Sequence, residues 1–447
     1  MTLKNPAVIR SAYTVLYLFL PLLLVTAIWN SNPVRYGSAK AIPMILGALA
    51  YTMMNMQLVL ASRPRWLEQW FGMDHLYRIH GFLAAGAIAA ALFHHALEPR
   101  MAFIRWLSPS GDAALILFII TSLLAVLFLT PVLRRLRPLS FLCRAAHFSL
   151  FRYHIQRQIH NITVIAVIIL FLHVMMTPAA RHLSVQSIYI LYFGTALSFY
   201  IYHRLIRPRF LRSLFTVDSV VPESDQMTTV YMHPVQNRVF PYQPGQFGYF
   251  SFQDPALSRE EHPFSITSQP GSNILSVTVK NLGDWTSRVR NISSGSTVRV
   301  DAPYGRLSPL LYSCRGGIIL IAAGAGITPM LSIMRYYRKT DPHQKILLLW
   351  MIPYEKELIC RQEWQDMQQS MENFTFVPIV SRDPSFPGET GHITVPLIRR
   401  YTELSHIDQS SAQIFICGPS NMQDACINLL HELQIPDNLI HKENFSF

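Results

Sequence analysis

Six stretches without a single Lys, Arg, Asp or Glu occupy the first half of this chain: Ser11–Val34, Ala41–Ser62, Ile79–Leu97, Ala113–Leu133, Gln158–Ala180 and His182–His203. Each is about long enough to cross the ~30 Å hydrocarbon layer of a bilayer. A backbone in lipid must satisfy its own hydrogen bonds, so runs of this length read as helices. Beyond Arg204 no such run recurs, and the remaining 243 of the 447 residues read as soluble. The first run has polar residues before it and no small-residue cleavage pattern after it. It is therefore expected to be a retained span, not a cleaved leader.

The placement of charge orients the bundle. Arg63, Arg65 and Arg78 lie between the second and third runs, and Arg134, Arg135, Arg137, Arg144 and Arg152 between the fourth and fifth. Arg204, Arg207, Arg209 and Arg212 follow the sixth. The opposite loops hold only Arg35, Lys40, Arg100, Arg105 and Arg181. By the positive-inside rule both termini and the soluble half are cytoplasmic, which predicts an inner (plasma) membrane protein. The net charge of +12 is then a topology and anionic-lipid signal. Basic residues clustered at span ends argue against nucleic acid as a partner. All five cysteines, at 143, 314, 360, 417 and 426, fall on the cytoplasmic side, so no structural disulfide is expected.

Four histidines sit inside this apolar half, where they are costly and usually functional. His80 and His94 lie in the third run, His160 and His173 in the fifth. Thirteen residues separate the first pair and twelve the second, which on a helix is roughly 20 Å along the axis. Both runs point outward, so His80 should pair with His160 and His94 with His173. Imidazole is a common axial ligand of haem iron, and the spacing suits two haems stacked across one bilayer. No carboxylate or cysteine joins the set, which argues against other metals. The bland reading is that each histidine bonds a neighbouring helix. Phase leaves two questions: His94 and His95 stand about 40° and 60° from His80 on either side, so both remain candidates. His160 and His173 differ by about 140°, which a straight helix cannot accommodate. A π-bulge or kink in that span is required.

Residues 207–312 change to short alternating strands, among them Thr228–Met232, Gly248–Phe252, Leu275–Lys280 and Thr297–Val300, separated by Gly, Pro and Asn. This pattern predicts a small β-barrel. Two motifs within it can carry chemistry: His262-Pro263-Phe264-Ser265-Ile266, and Gly283-Asp284-Trp285-Thr286, which opens a helix-like run where backbone N–H groups suit a pyrophosphate. Lys280 is grouped with them as a cofactor-binding candidate. Taken singly, Asp284 also reads as a helix cap and Phe264 as core.

Residues 313–447 alternate strands (Ile318–Ala322, Ile346–Trp350, Thr375–Val380, Gln413–Cys417) with helical segments, an α/β arrangement whose ligand edge lies at the strand C-termini. Gly324-Ala325-Gly326-Ile327-Thr328-Pro329 follows the first strand. Its glycines let a pyrophosphate approach, with Thr328 expected to cap the next helix and Pro329 to fill its first turn. Arg382 stands after the third strand, where an arginine can meet an adenosine 2′-phosphate. Cys417-Gly418-Pro419 follows the last, and Cys417 reads as either a nicotinamide-side residue or a buried small hydrophobe.

Nearly the whole chain resembles the ferric reductase and NADPH oxidase superfamily, in which a six-span domain with two b-type haems is joined to a ferredoxin-NADP reductase-like dehydrogenase. The resemblance rests on the histidine spacings, on His262-Pro263-Phe264-Ser265-Ile266 and Gly283-Asp284-Trp285-Thr286, and on Gly324 to Pro329, Cys417-Gly418-Pro419 and the ending Lys442-Glu443-Asn444-Phe445-Ser446-Phe447. It implies a six-span di-haem domain over residues 1–206, an FAD domain over 207–312 and an NAD(P)H domain over 313–447. It further implies electron flow from NADPH through FAD to an inner haem (His80, His160), an outer haem (His94, His173) and an acceptor outside. Ser265 and Cys417 would line the hydride-transfer site. A terminal aromatic, Phe445 or Phe447, would cover the flavin. The expected acceptor is O₂, giving superoxide; a ferric chelate, or a periplasmic protein served by an electron-donor subunit, are the competing readings. No EF-hand loop, long N-terminal extension or proline-rich tail is evident, and the compact form resembles bacterial members.

Overall fold

The computed structural model describes residues 6–31, 37–97, 107–129, 153–207, 213–236 and 240–443. Phe445 and Phe447 lie outside them, as do Cys143, His147 and many of the loop arginines, including the four from Arg134 to Arg144. The chain divides into two compact units, Met1–Arg207 and Pro208–Phe447.

The first unit is helical: α1 (Pro6–Ser31), α2 (Gly37–Ala61), α3 (Arg65–Phe71), α4 (Met73–Leu97), α5 (Leu107–Leu129), α6 (Tyr153–His160), α7 (Thr163–Met175) and α8 (Leu183–Ile201). Among the described residues five segments are long and apolar enough to cross a membrane, and Phe19–Ser31 of α1 is a shorter apolar helix. Six were expected. Large apolar side chains such as Phe82, Phe93, Leu123, Leu172 and Leu191 are exposed on the helices. Such an apolar exterior suits lipid rather than water, and with the five segments it indicates membrane association.

The fifth expected run is broken. α6 ends at His160 and α7 begins at Thr163, with the turn at Asn161–Ile162 closed by bonds from Asn161 N–H to the Gln158 carbonyl and from Ile162 N–H to the Ile159 carbonyl. These reach back three residues, so the break is an overwound turn rather than a π-bulge. Thr163 Oγ1 donates to the His160 carbonyl at 2.7 Å, a side-chain back-bond of the kind that bends helices. The interruption demanded by the phase of His160 and His173 is thus present, immediately after His160. α4 packs along α2, and α7 along α5.

The second unit holds two six-stranded sheets. The first is antiparallel, in the order β4-β3-β6-β1-β2-β5: β1 (Ser213–Pro222), β2 (Met227–Pro234), β3 (Phe247–Gln253), β4 (His262–Ser265), β5 (Leu275–Lys280) and β6 (Thr297–Tyr304). Alternate residues of its strands, among them Phe215, Val217, Val230, Met232, Phe250, Phe252, Val277 and Val279, form one buried cluster. A single antiparallel bridge between Ile266 and Val277 links the two edges of the sheet.

The second sheet has the order β10-β9-β8-β7-β11-β12, from β7 (Ile318–Ala323), β8 (Ile346–Ile352), β9 (Phe374–Val380), β10 (Glu389–Thr390), β11 (Gln413–Cys417) and β12 (Ile440–Glu443), all paired in parallel. Helices α9 (Ile327–Thr340), α10 (Arg361–Ser370), α11 (Val395–Leu404) and α12 (Ser420–Glu432) lie between strands in the chain. β7 and β8 read as continuous apolar runs because both of their faces are buried, in two separate clusters. Chain order proceeds from β7 through β8 and β9 to β10, then resumes on the other side of β7 with β11 and β12. The topological switch point therefore lies between β7 and β11, where such sheets bind ligands at their C-terminal edge.

Candidate functional site

That edge is where the two glycine motifs meet. Gly324–Gly326 form a tight 3₁₀ turn at the end of β7, and Cys417-Gly418-Pro419 leaves β11 beside it. A Cβ on Gly326 would stand 2.0 Å from the Cys417 carbonyl oxygen, so only glycine permits this approach. Gly324 has φ +51, a left-handed conformation that favours glycine. Its carbonyl accepts from Trp350 Nε1 at 3.1 Å. Thr328 does not cap α9 as expected. The helix starts at Ile327 with Gly326 as its N-cap, and Thr328 sits inside the first turn with Oγ1 donating to the Ala325 carbonyl at 2.8 Å. Pro329 is consequently two positions deeper than its favoured place. The start of α9 faces this edge with unpaired N–H groups of the kind that bind phosphate. Cys417 is 1% exposed and belongs to the hydrophobic cluster under α9, so the small-hydrophobe reading describes its packing. Arg382 lies after β9 on the same edge of the sheet and is exposed.

The flavin motifs also converge, through Trp285. Its ring lies 4.0 Å from that of His262 and 5.9 Å from that of Phe264, centroid to centroid. Trp285 Nε1 donates to the Ser258 carbonyl at 3.1 Å, which ties the loop before β4 to the stack. Asp284 is not the cap. Thr286 Oγ1 accepts from the N–H groups of Leu282 and Gly283 at 2.9 and 3.0 Å, ordering the turn that precedes the 3₁₀ helix Thr286–Asn291. Ser265 is buried, while His262, Pro263 and Phe264 are partly open. Ile266, the last residue of that motif, is fully buried at the sheet edge and makes the bridge to Val277.

Charged residues join the flavin sheet to the nucleotide sheet. Lys280, at the end of β5, reaches the Gly324 turn: its Nζ would be 3.6 Å from a Cβ there, and it lies 3.5 Å from Glu357 Oε2. Arg335 of α9 makes a two-pronged pair with Glu363, at 2.7 and 2.6 Å, and donates to the Thr267 carbonyl at 2.8 Å. Burial opposes the charge on Arg335, but the Glu363 carboxylate outweighs it and raises the guanidinium pKa. Ser332 Oγ adds a 2.8 Å bond to the Ser268 carbonyl, and Tyr242 OH pairs with Ser268 Oγ at 2.9 Å. Burial keeps that phenol protonated, well above its ordinary range. Sequence reasoning missed Arg335, Glu363, Ser332 and Glu357, and no local pattern marks them.

In the helical unit, His80 and His160 face one another with ring centroids 6.1 Å apart. Two opposed metal–nitrogen bonds of ~2 Å, added to the ring radii, place imidazole centroids about 6 Å apart, so the spacing accommodates one iron. Nδ1 of each ring is buried without a hydrogen-bond partner. Both histidines line a small cavity of about 60 Å³ with Gln57, Ala84, Ala87, Phe118 and Val167. Two imidazoles supply only an axial pair, the donor set that a porphyrin completes with its own four nitrogens. These residues fit a haem. Farther along the span, His94 Nδ1 lies 2.8 Å from the Pro43 carbonyl and His173 Nδ1 3.2 Å from Ser110 Oγ. His95 instead faces Asp112 at 3.3 Å and is 47% exposed, which separates the two neighbours that helical phase could not.

Comparison with known proteins bears on the second unit. Residues 213–348 match the FAD-binding domain family, and residues 320–427 the oxidoreductase NAD-binding domain family. Cytochrome b5 reductase 4 of Rattus norvegicus is 25% identical over 206 residues, 45% of this chain and 38% of that protein. Putative respiratory burst oxidase homolog protein G of Arabidopsis thaliana is 31% identical over 214 residues, 43% of this chain and 24% of that protein. The chain thus spans well under half the length of these relatives. The crystal structure of a flavohemoglobin from Malassezia yamatoensis, with bound FAD and heme, aligns with a TM-score of 0.50 at 15% identity, over 95% of this chain and 99% of that one. That is a likeness of fold alone. The carboxy-terminal half of the chain thus carries FAD-binding and NAD-binding family domains, as is consistent with a ferric reductase or NADPH oxidase-like fusion.

Proposed function

We propose that this protein carries electrons from cytosolic NADPH, by way of FAD and two b-type haems, to O₂ on the far side of the membrane, where superoxide is released. The observation that carries the reading is the opposed pair His80 and His160, 6.1 Å apart with unpartnered Nδ1 atoms in a cavity of the helical unit. The chemistry that the bound groups supply is hydride acceptance by FAD and one-electron carriage by haem. The chain's residues hold and orient them. Gly324, Gly326, Gly418 and Pro419 leave the switch point open to the dinucleotide, and Cys417 and Ser265 line the path of the hydride. Arg382, at the edge of the same sheet, would meet the 2′-phosphate of NADPH. His262, Phe264 and Trp285 make the aromatic wall for the flavin, and Lys280 a positive charge for phosphate. His80 with His160, and His94 with His173, would hold the two haems.

In this reading residues 1–206 form a six-span domain, 207–312 a β-barrel closed by the Ile266–Val277 bridge, and 313–447 the NAD(P)H domain. The arginine distribution supports an inner-membrane protein with both termini cytoplasmic. Purified protein supplied with NADPH and FAD should consume O₂ and reduce cytochrome c in a manner blocked by superoxide dismutase. Ferric-chelate reduction without O₂ uptake would overturn the oxidase assignment in favour of a ferric reductase. Turnover only with an added periplasmic protein would make the chain a donor subunit.

A further inference from the structure

The two histidine pairs are held in different ways. Nδ1 of His80 and Nδ1 of His160 have no hydrogen-bond partner. Nδ1 of His94 and of His173 each has one, the Pro43 carbonyl at 2.8 Å and Ser110 Oγ at 3.2 Å. Each of these outer contacts is made in a gap left by a glycine. A Cβ on Gly47 would stand 3.0 Å from His94 Nδ1 and 3.1 Å from its Cε1. Gly47 is one turn after Pro43 on α2, and a helical side chain covers the turn N-terminal to its own Cα. Any larger residue at 47 would stand over the carbonyl that His94 uses. On the other side, a Cβ on Gly111 would stand 2.8 Å from His173 Cε1 and 3.0 Å from Nδ1, next to the serine that bonds that ring. The closeness is not general to glycines of these helices: around Gly81 and Gly194 nothing lies within 4 Å of a Cβ.

We propose that Gly47 and Gly111 are positioning residues for the outer haem. Their missing side chains let His94 and His173 seat Nδ1 on Pro43 and Ser110, which fixes each ring and leaves Nε2 as the coordinating atom. This rests on the di-haem reading given above. A ligating imidazole whose other nitrogen donates a hydrogen bond is oriented by it and becomes a stronger base. A more basic ligand favours ferric iron, so the outer haem takes from its anchors a lower potential than the same ligands would give unanchored.

The test uses the full-length protein, purified with its cofactors, as wild type and as Gly47→Ala, Gly111→Ala, Ser110→Ala and Gly194→Ala. Haem per chain is measured by pyridine haemochrome, and both potentials by spectroelectrochemical titration. Wild type and Gly194→Ala should hold two haems. Gly47→Ala and Gly111→Ala should weaken retention of one haem, roughly 10- to 100-fold, and leave the other unmoved. Ser110→Ala, which adds no bulk, should keep both haems and raise only one potential. If one of the glycine variants does not accumulate, Ser110→Ala and the remaining glycine variant decide. Two haems at wild-type potentials in those variants would overturn the proposal, whereas absence of haem from the wild type would instead overturn the di-haem reading beneath it.

Discussion

Gly326 and Cys417 are in backbone contact: a Cβ on the glycine would lie 2.0 Å from the cysteine's carbonyl oxygen. The nucleotide turn after β7 and the motif after β11 are therefore one surface, although ninety residues separate them in the chain. Gly326→Ala cannot be relieved by a rotamer change because the obstacle is backbone. The variant should retain FAD yet reduce it with NADPH about 100-fold more slowly, since a displacement near 1 Å at a transfer site costs about that much. Stopped-flow bleaching of the flavin band measures this directly; wild-type rates would contradict it.

Trp285 is the common neighbour of His262 and Phe264. An aromatic stack contributes about 0.5–1.5 kcal/mol beyond burial, so Trp285→Ala should weaken FAD retention by up to roughly tenfold. Equilibrium dialysis against free FAD would check it, with Trp285→Phe expected to recover most of the loss.

Arg335, Glu363 and the Thr267 carbonyl bind the flavin sheet to the nucleotide sheet. Truncating one member of a largely buried pair leaves the other charge without its partner. Arg335→Ala should destabilise the second unit by about 3 kcal/mol, and Glu363→Gln in that background should restore part of it. Thermal release of FAD from the full chain is the readout. Equal midpoints for wild type and Arg335→Ala would refute the pairing's role.

His441 of β12 stacks on Tyr312 at 3.7 Å and lies 2.7 Å from Gln413 Oε1. Burial, aided by the nearby Arg306, lowers its pKa from 6.5 to about 4. The unfolded chain therefore binds this proton more readily than the folded one does. Its contribution to stability is complete above pH 6.5 and is lost as pH falls toward 4, by about 3 kcal/mol in all. His441→Gln should flatten that part of the pH profile of FAD release, and an unchanged profile would count against the assignment.

Much of the second unit was legible because its signals are local. Period-two alternation marked β2, β3, β5 and β6, and apolar runs marked β7, β8, β9 and β11, each within two residues at the N-terminal end. Gly324 and Cys417 lie at the C-terminal ends of β7 and β11 and Trp285 just after β5, and Phe264 lies within β4. What the sequence did not disclose depends on tertiary contact. Arg335 sits on an amphipathic helix like any surface arginine until Glu363, twenty-eight residues on, is folded against it. Thr328 followed the usual grammar of a helix start, but the glycine turn brings α9 in two residues earlier. The awkward phase of His160 and His173 pointed correctly to an interruption. Its form, an overwound turn held by Asn161 and Thr163, could not be read from spacing. His94 and His95, inseparable by phase, differ because Pro43 and Asp112 stand on opposite sides of α4's end.

The central claim is that His80 and His160, and His94 and His173, each hold one haem between membrane helices. The most direct measurement is the haem content and low-spin spectrum of the full-length protein purified with its cofactors, compared with His80→Leu and His94→Leu. The account predicts two bis-histidine haems per chain, one in each variant, and NADPH-dependent flavin reduction intact in His94→Leu. A wild-type protein saturated with FAD but devoid of haem would contradict it.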